Sequence, residues 1–222
     1  LVRLKFDDIG TVYIYMDKKY SLSRAQIKQL RKGISFDLHI RTTKYTFSEG
    51  INRCIGLLVA LQQICKDIYR NDYVMKIDSD VLFISDSIFR DVLKGNTDAI
   101  SHDNYGDLEG GSFSLRGSII SKIVRLPIGR AVKEVCSKFR WPLEKCQDDK
   151  LMTQLVKQCG GKMHLKRFML EPLKPPFIRK RASKYELTEH NIRGYSYIHF
   201  TYWFGLKKEQ MRKTWKWLCS KD

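Results

Sequence analysis

The chain has 222 residues, 43% hydrophobic and 12% aromatic, which is enough for one sizeable core in a single domain. Its 41 Lys and Arg against 24 Asp and Glu give a net charge of +17, which favours polyanionic or phosphate-bearing partners over cationic ones. No stretch approaches the roughly 20 apolar residues of a membrane span, no signal-peptide pattern opens the sequence, and a first residue of Leu rather than Met suggests a piece trimmed or cut from a longer protein.

Thr11 to Met16 is rich in β-branched and aromatic residues and reads as a strand, with Asp17 at its carboxyl end. Ser21 and Ser23 offer an N-cap for a helix from Arg24 to Lys32, stopped by Gly33. Phe36, Leu38 and Ile40 alternate as in a second strand. From Ser48 to Ile68 the spacing of Ile51, Ile55, Leu58, Val59, Leu61 and Cys65 predicts a helix capped near Ser48. A third strand, Tyr73 to Asp78, follows, and strand–helix alternation of this kind is the rhythm of an α/β fold with a mostly parallel sheet flanked by helices.

That third strand ends on Asp78 and Asp80, separated only by Ser79, and Val81 to Ile84 then resumes the apolar pattern. Two acids flanked by apolar residues are costly unless their charge is compensated, and oxygen donors of this kind suit Mg²⁺ or Mn²⁺. The carboxyl end of a strand in an open α/β sheet is also where ligands bind. The bland alternative is a solvated turn carrying two ordinary surface acids.

Further on, Ser85 to Lys94 reads as a short helix closed by Gly95, and Asp98 to His102 as a short strand. In Asp103 to Arg116 the pair Gly110-Gly111 permits close backbone approach to a ligand, and Ser112 to Leu115 reads as a strand running back into the sheet. Helices are expected from Ser118 to Leu126 and from Ile128 to Phe139, with Trp141-Pro142 as a break. Asp148 and Asp149 open a helix ending at Gly160-Gly161, where acids in the first turn are favourable against the helix dipole. Met163 to Met169 reads as a strand and Pro172 to Asn191 as a loop. Tyr195 to Phe204 is an aromatic segment containing His199, ahead of a basic final helix. The six cysteines include no C-x-x-C pair, which argues against a zinc ribbon and for reduced thiols in an intracellular protein, with Cys54 and Cys65 as small apolar residues of a helix.

A βαβαβ half ending in Asp78-Ser-Asp80, the strand Glu109-Gly110-Gly111-Ser-Phe-Ser-Leu-Arg116, the pair Asp148-Asp149 at a helix start and a late His199 occur in one order. This order, spanning Thr11 to about Trp203, resembles the GT-A class of nucleotide-sugar glycosyltransferases. The resemblance implies Mn²⁺ or Mg²⁺ held by Asp80 and Asp78, with Asp78 also contacting ribose, and His199 completing the metal shell. It further implies a nucleotide-sugar donor, most simply a UDP-sugar such as UDP-glucose, with Tyr15 and Asp17 at the nucleobase and ribose and Arg53 facing the diphosphate. Gly110 and Gly111 would line the donor sugar, and Asp149 or Asp148 would serve as the base of an inverting transfer to a glycan or glycoprotein. Gln147 stands where members of the class often carry an acid, and the longer acceptor-binding insertions are missing.

Within one domain, residues 1–102 are expected to form the nucleotide-binding half and 103–222 the acceptor half. Small domains of this class occur in bacteria and in large DNA viruses, which implies a cytoplasmic location, the host's if viral. The basic run Arg179-Lys180-Arg181, beside Pro175-Pro176, is expected to meet an anionic membrane surface or a charged acceptor. Two rival readings are a metal-dependent nucleotidyltransferase or nuclease, and a non-catalytic nucleic-acid or glycan-binding module stacking on Tyr195 to Trp203. Against the nuclease stands the lack of a second acidic cluster suited to a two-metal site, and nucleic acid is the less expected partner. Were neither Asp148 nor Asp149 the base, Asp107 and Glu109 would be the next candidates.

Overall fold

The computed structural model describes residues 10–17, 21–32, 36–45, 50–170, 192–200 and 207–220. The chain is an α/β protein with a central sheet flanked by helices, as the alternation of strand-like and helix-like segments predicts, but that sheet is mixed rather than mostly parallel. The expected loop 172–191 with its basic run, the aromatic positions 201–204, and Gly33 and Ser48 lie outside the described residues.

β1 (Thr11–Asp17) and β2 (Asp37–Thr43) pair in parallel, in register from Thr11 beside Asp37 to Asp17 beside Thr43. Between them runs α1 (Arg24–Arg31), started by a capping box: Ser23 Oγ accepts from the Gln26 N–H at 3.3 Å and Gln26 Oε1 accepts from the Ser23 N–H at 2.8 Å. α2 (Gly50–Ile64) buries the stripe Cys54, Leu57, Leu58, Leu61 and Ile64.

The central sheet holds β3 (Tyr73–Ile77), β5 (Ala99–Asn104), β6 (Asp107–Arg116) and β7 (Met163–Lys166) in the order β3-β6-β5-β7. β6 runs antiparallel to both its neighbours, and β5 and β7 are parallel. The antiparallel step comes from a two-residue hairpin turn, Tyr105-Gly106, with φ of 55° and 84°. Positive φ at both central positions matches the right-handed twist of a hairpin. A third sheet, ordered β4-β9-β8, is built from β4 (Val81–Phe83), β8 (Met169–Leu170) and β9 (Tyr197–His199). The expected strand from Met163 to Met169 is thus two strands, broken at Arg167-Phe168 and placed in different sheets.

Alternation along β5 sets the layers, because successive residues of a strand face opposite sides of the sheet. Ala99 packs with α2, α4 (Gly117–Ile123), α5 (Ile128–Lys138) and α6 (Asp148–Gln158), around Leu58, Phe113, Ile120, Val132 and Met152. Ile100 packs on the other side with Ile88 of α3 (Ser87–Leu93) and with Phe168, Met169 and Tyr197. Among the described residues no helix, the final α7 (Lys207–Cys219) included, is long and apolar enough to cross a membrane. None of the six cysteines forms a disulfide.

One irregularity of the central sheet matters for the site. β5 and β6 are in register at Ser101–Phe113 and again at Asp103–Leu108, so His102 alone faces Glu109, Gly110, Gly111 and Ser112. Bulges of this kind re-aim side chains and concentrate beside functional sites. The Ser101 hydroxyl stitches this one together: it donates to Ser112 O at 3.0 Å and accepts from the Glu109 N–H at 2.9 Å.

Candidate metal and acid site

Asp78 and Asp80 sit in a turn between β3 and β4, closed by the Val81 N–H donating to Asp78 O at 3.1 Å. This is the turn that the bland alternative foresees, but only one of its acids is solvated: the Asp78 side chain is 40% exposed, whereas Asp80 is buried. β4 pairs antiparallel with β9, setting Val81 beside His199, and the Phe200 N–H donates to Asp80 O at 2.9 Å. The pairing carries a histidine from the far end of the chain to the acidic turn. One ligand atom each from Asp78, Asp80 and His199 lies within 4.8 Å of the other two. Two carboxylates and an imidazole converging at this spacing form a donor set that can hold a divalent cation.

His199 is held from three sides. Its Nε2 is 3.4 Å from Asp80 Oδ1 and its Nδ1 is 2.9 Å from Glu109 Oε1. On the third side, a Cβ added to Gly111 would fall 2.4 Å from Nδ1, so only glycine lets β6 pass here. Burial lowers the imidazole's affinity for a proton, but the bonds to Asp80 and Glu109 outweigh it and push the pKa up to about 9. Burial likewise raises the Asp78 carboxyl, with Lys76 pulling the other way.

A second cluster lies on the other side of the glycine pair. Asp148, buried at the start of α6, is 3.1 Å from Arg53 Nε and 3.3 Å from Lys76 Nζ. Lys76 is also 2.8 Å from Asp78 Oδ1 and donates to the Gly110 carbonyl within the bulge. Its ammonium therefore links the metal-side acid to the helix-side acid. A Cβ on Gly110 would meet Asp148 Oδ1 at 3.5 Å and Asp149 Cβ at 3.6 Å, so β6 runs at van der Waals distance from the acidic pair. Asp149 is half-buried. Its Oδ2 accepts from Asn104 Nδ2 at 3.2 Å and its Oδ1 from the Lys150 N–H at 2.7 Å.

The expected site residues therefore fall into three groups. Asp78, Asp80 and His199 come together as one donor set, while Arg53, Gly110, Asp148 and Asp149 gather beside it, with Gly111 adjoining both. Arg53, expected to face a diphosphate, is engaged by Asp148. Tyr15 belongs to the β1–β2 sheet, where its hydroxyl donates to Gln63 Oε1 at 3.2 Å, and Asp17 ends the same strand. Of the two reserve acids, Asp107 is paired with Lys150 and Glu109 with His199.

Lys76 and Glu109 carry much of this geometry, yet the sequence gives Lys76 no part in the site and Glu109 only that of a reserve base, not of a partner to His199. A lone Lys in an otherwise apolar strand, two residues before Asp78 and so on the same face, was the available signal for Lys76. For the contact of Glu109 with His199 there is no local signal, because the bulge that aims it depends on cross-strand register.

No protein-family model matches the sequence, and no curated protein matches it significantly. Among solved structures, the chain is similar to the apo form of mouse xyloside xylosyltransferase 1, with a TM-score of 0.48 and 9% identity, over 85% of this chain and 83% of that one. It is also similar to HddC from Yersinia pseudotuberculosis, with a TM-score of 0.40 and 10% identity, over 72% and 70% of the two chains. Neither likeness carries residues, chemistry or function across to this chain.

Proposed function

We propose that this chain is a metal-dependent glycosyltransferase that moves a sugar from a nucleotide-sugar, most simply a UDP-sugar, to a glycan or glycoprotein hydroxyl with inversion. The observation that carries the reading is the convergence of Asp78, Asp80 and His199 within 4.8 Å. The donor set of two carboxylates and an imidazole fits Mn²⁺ better than Mg²⁺, which prefers an all-oxygen shell. A cation held there would stabilise the negative charge that grows on the leaving diphosphate.

The protein's own residues supply the rest. Asp149 is the base in this reading: its carboxylate takes the acceptor hydroxyl's proton while Asn104 fixes the orientation of Oδ2. Asp148 is the structural partner, locked between Arg53 and Lys76. The bulged β6 keeps the two functions apart, with Gly111 beneath His199 and Gly110 against the acidic pair, so one strand positions both. Both halves, 1–102 and 103–222, belong to one domain in this reading, with Tyr15 and Asp17 on the nucleobase and ribose side.

The test is hydrolysis of UDP-glucose and of a panel of other sugar nucleotides, with Mn²⁺ and with excess EDTA. The expected result is sugar release from at least one donor with Mn²⁺ and none with EDTA. Equal release under both conditions would sink the metal-dependent reading.

A further inference from the structure

We infer that Glu109 is the positioning residue that presents Nε2 of His199 to a divalent cation held with Asp78 and Asp80, an inference that rests on the proposed metal site. Glu109 is 6% exposed and projects from the bulge of β6. Its Oε1 lies 2.9 Å from His199 Nδ1, and its Oε2 accepts from the Ser112 N–H at 3.0 Å and the Tyr197 hydroxyl at 3.2 Å. An ionised carboxylate only accepts, so Nδ1 carries the proton in this contact. Both carboxylate oxygens are engaged by donors on fixed strands, so the group cannot swing away.

Two constraints then fix the imidazole. Glu109 holds one nitrogen, and Gly111 closes the space beside that same nitrogen, where a Cβ would fall 2.4 Å away. The other nitrogen is left on the Asp80 side, 3.4 Å from Oδ1. A metal-bound histidine commonly gives its second N–H to a carboxylate, and loss of such a partner weakens metal binding by about 10- to 100-fold. The competing role for Glu109 is to satisfy the Ser112 N–H and so close the bulge. That role predicts a loss of stability without a change in metal affinity.

The two are separable in Glu109→Gln, which keeps the shape but offers one oxygen where Ser112 N–H and His199 Nδ1–H both need an acceptor. Mn²⁺ binding to the whole protein is titrated by electron paramagnetic resonance, and pulsed measurements detect coupling of Mn²⁺ to the histidine nitrogen. The expected result is about 10- to 100-fold weaker Mn²⁺ binding by Glu109→Gln, with the nitrogen coupling lost. Tyr197→Phe removes one donor from Glu109 without touching His199, and should weaken binding in the same direction by less. It decides the matter should Glu109→Gln fail to fold. Folded variants with wild-type Mn²⁺ affinity and unchanged nitrogen coupling would overturn the role of Glu109 while leaving the metal site standing. Failure of the wild-type protein itself to bind Mn²⁺ would overturn the metal site, and this role with it.

Discussion

Gly111 and His199 approach so closely that a single added carbon does not fit: a Cβ on Gly111 would sit 2.4 Å from Nδ1 and 2.5 Å from Cε1 of the ring. A shortfall of that size cannot be absorbed by a few tenths of an ångström of relaxation, and overpacking of a well-packed region costs about 1–3 kcal/mol. Gly111→Ala should therefore push His199 out of line with Asp80. The expected outcome is a variant that folds with a lowered Tm and is no longer stabilised by Mn²⁺ plus UDP, read by thermal shift. Wild-type stabilisation by the pair would mean that the ring position is not needed for binding.

Lys76 supports the second prediction. Its side chain is 16% exposed and that of Asp148 5%, so this is a largely buried ion pair, shared with Asp78. Removing one partner of a buried pair leaves an uncompensated charge and costs about 3–5 kcal/mol. Lys76→Met should sit near the low end of that range, because Arg53 still faces Asp148. Urea unfolding of the variant measures this directly. A loss below about 1 kcal/mol, the level of an ordinary surface pair, would show that the ammonium is not the link between the two acids.

How much of this was legible in the sequence follows from how local each signal is. The apolar stripe of α2 and the β-branched and aromatic run of β1 are local patterns, and both elements form where those patterns stand. The acidic turn and the helix start at Asp148 are local as well. Glu109 to Ser112 are different. A glycine pair reads locally as room for close backbone approach to a ligand, yet Gly110 and Gly111 lie inside the ten-residue strand β6 and face other parts of the chain. Glycine is required at Gly111 by His199 across from it, whereas at Gly110 a Cβ would make only van der Waals contact with Asp148 and Asp149, and none of these neighbours is near in sequence. The same holds for the sheet, where mixed pairing depends on a hairpin turn carrying Tyr105 at positive φ, a position at which the common signal would be Asn.

A third prediction concerns acid stability at a site remote from the chemistry. Asp91 accepts from Lys94 at 2.5 Å and from Lys166 at 2.6 Å, with His164 at 3.6 Å. Burial tends to raise this carboxyl, but the bonds to Lys166 and Lys94 outweigh it and bring the pKa down to about 2. A depressed carboxyl contributes stability that is present above its unfolded value of about 4 and lost as pH falls towards 2. Lys94 and Lys166 are 64% and 50% exposed, so screening limits the contribution to about 1 kcal/mol. The difference in unfolding free energy between wild type and Asp91→Asn should accordingly shrink between pH 5 and pH 2, and at neutral pH it should shrink with added salt. A difference independent of both would assign the effect to something other than charge.

The acidic pair at the start of α6 bears the most direct test of the chemistry. A helix start favours ionised acids, so both carboxyls were expected to be easily ionised. For Asp149 the direction is the opposite: burial raises its carboxyl, despite the Lys150 N–H pulling it down. A raised carboxyl takes up a proton more readily than an ordinary one, which suits a base. The acid limb of the transfer rate should then lie above the ordinary carboxylate range, with transfer falling as pH falls through it. The two neighbours differ in what they hold. Asp148 binds Arg53 and Lys76, and replacing it removes the partner of two cations, so Asp148→Asn should lose stability by about 3 kcal/mol or more. Among the described residues Asp149 binds a side-chain amide and its neighbour's N–H, so Asp149→Asn should cost about 0.5–2 kcal/mol, as for a helix cap. Loss of a general base costs about 10²–10⁴-fold in rate. Asp149→Asn should therefore still bind UDP with Mn²⁺, stay folded, and lose transfer by that factor together with the acid limb. Near wild-type transfer in both single variants would make the pair structural. Asp107 is already paired with Lys150 and Glu109 with His199, so the base would then have to come from elsewhere.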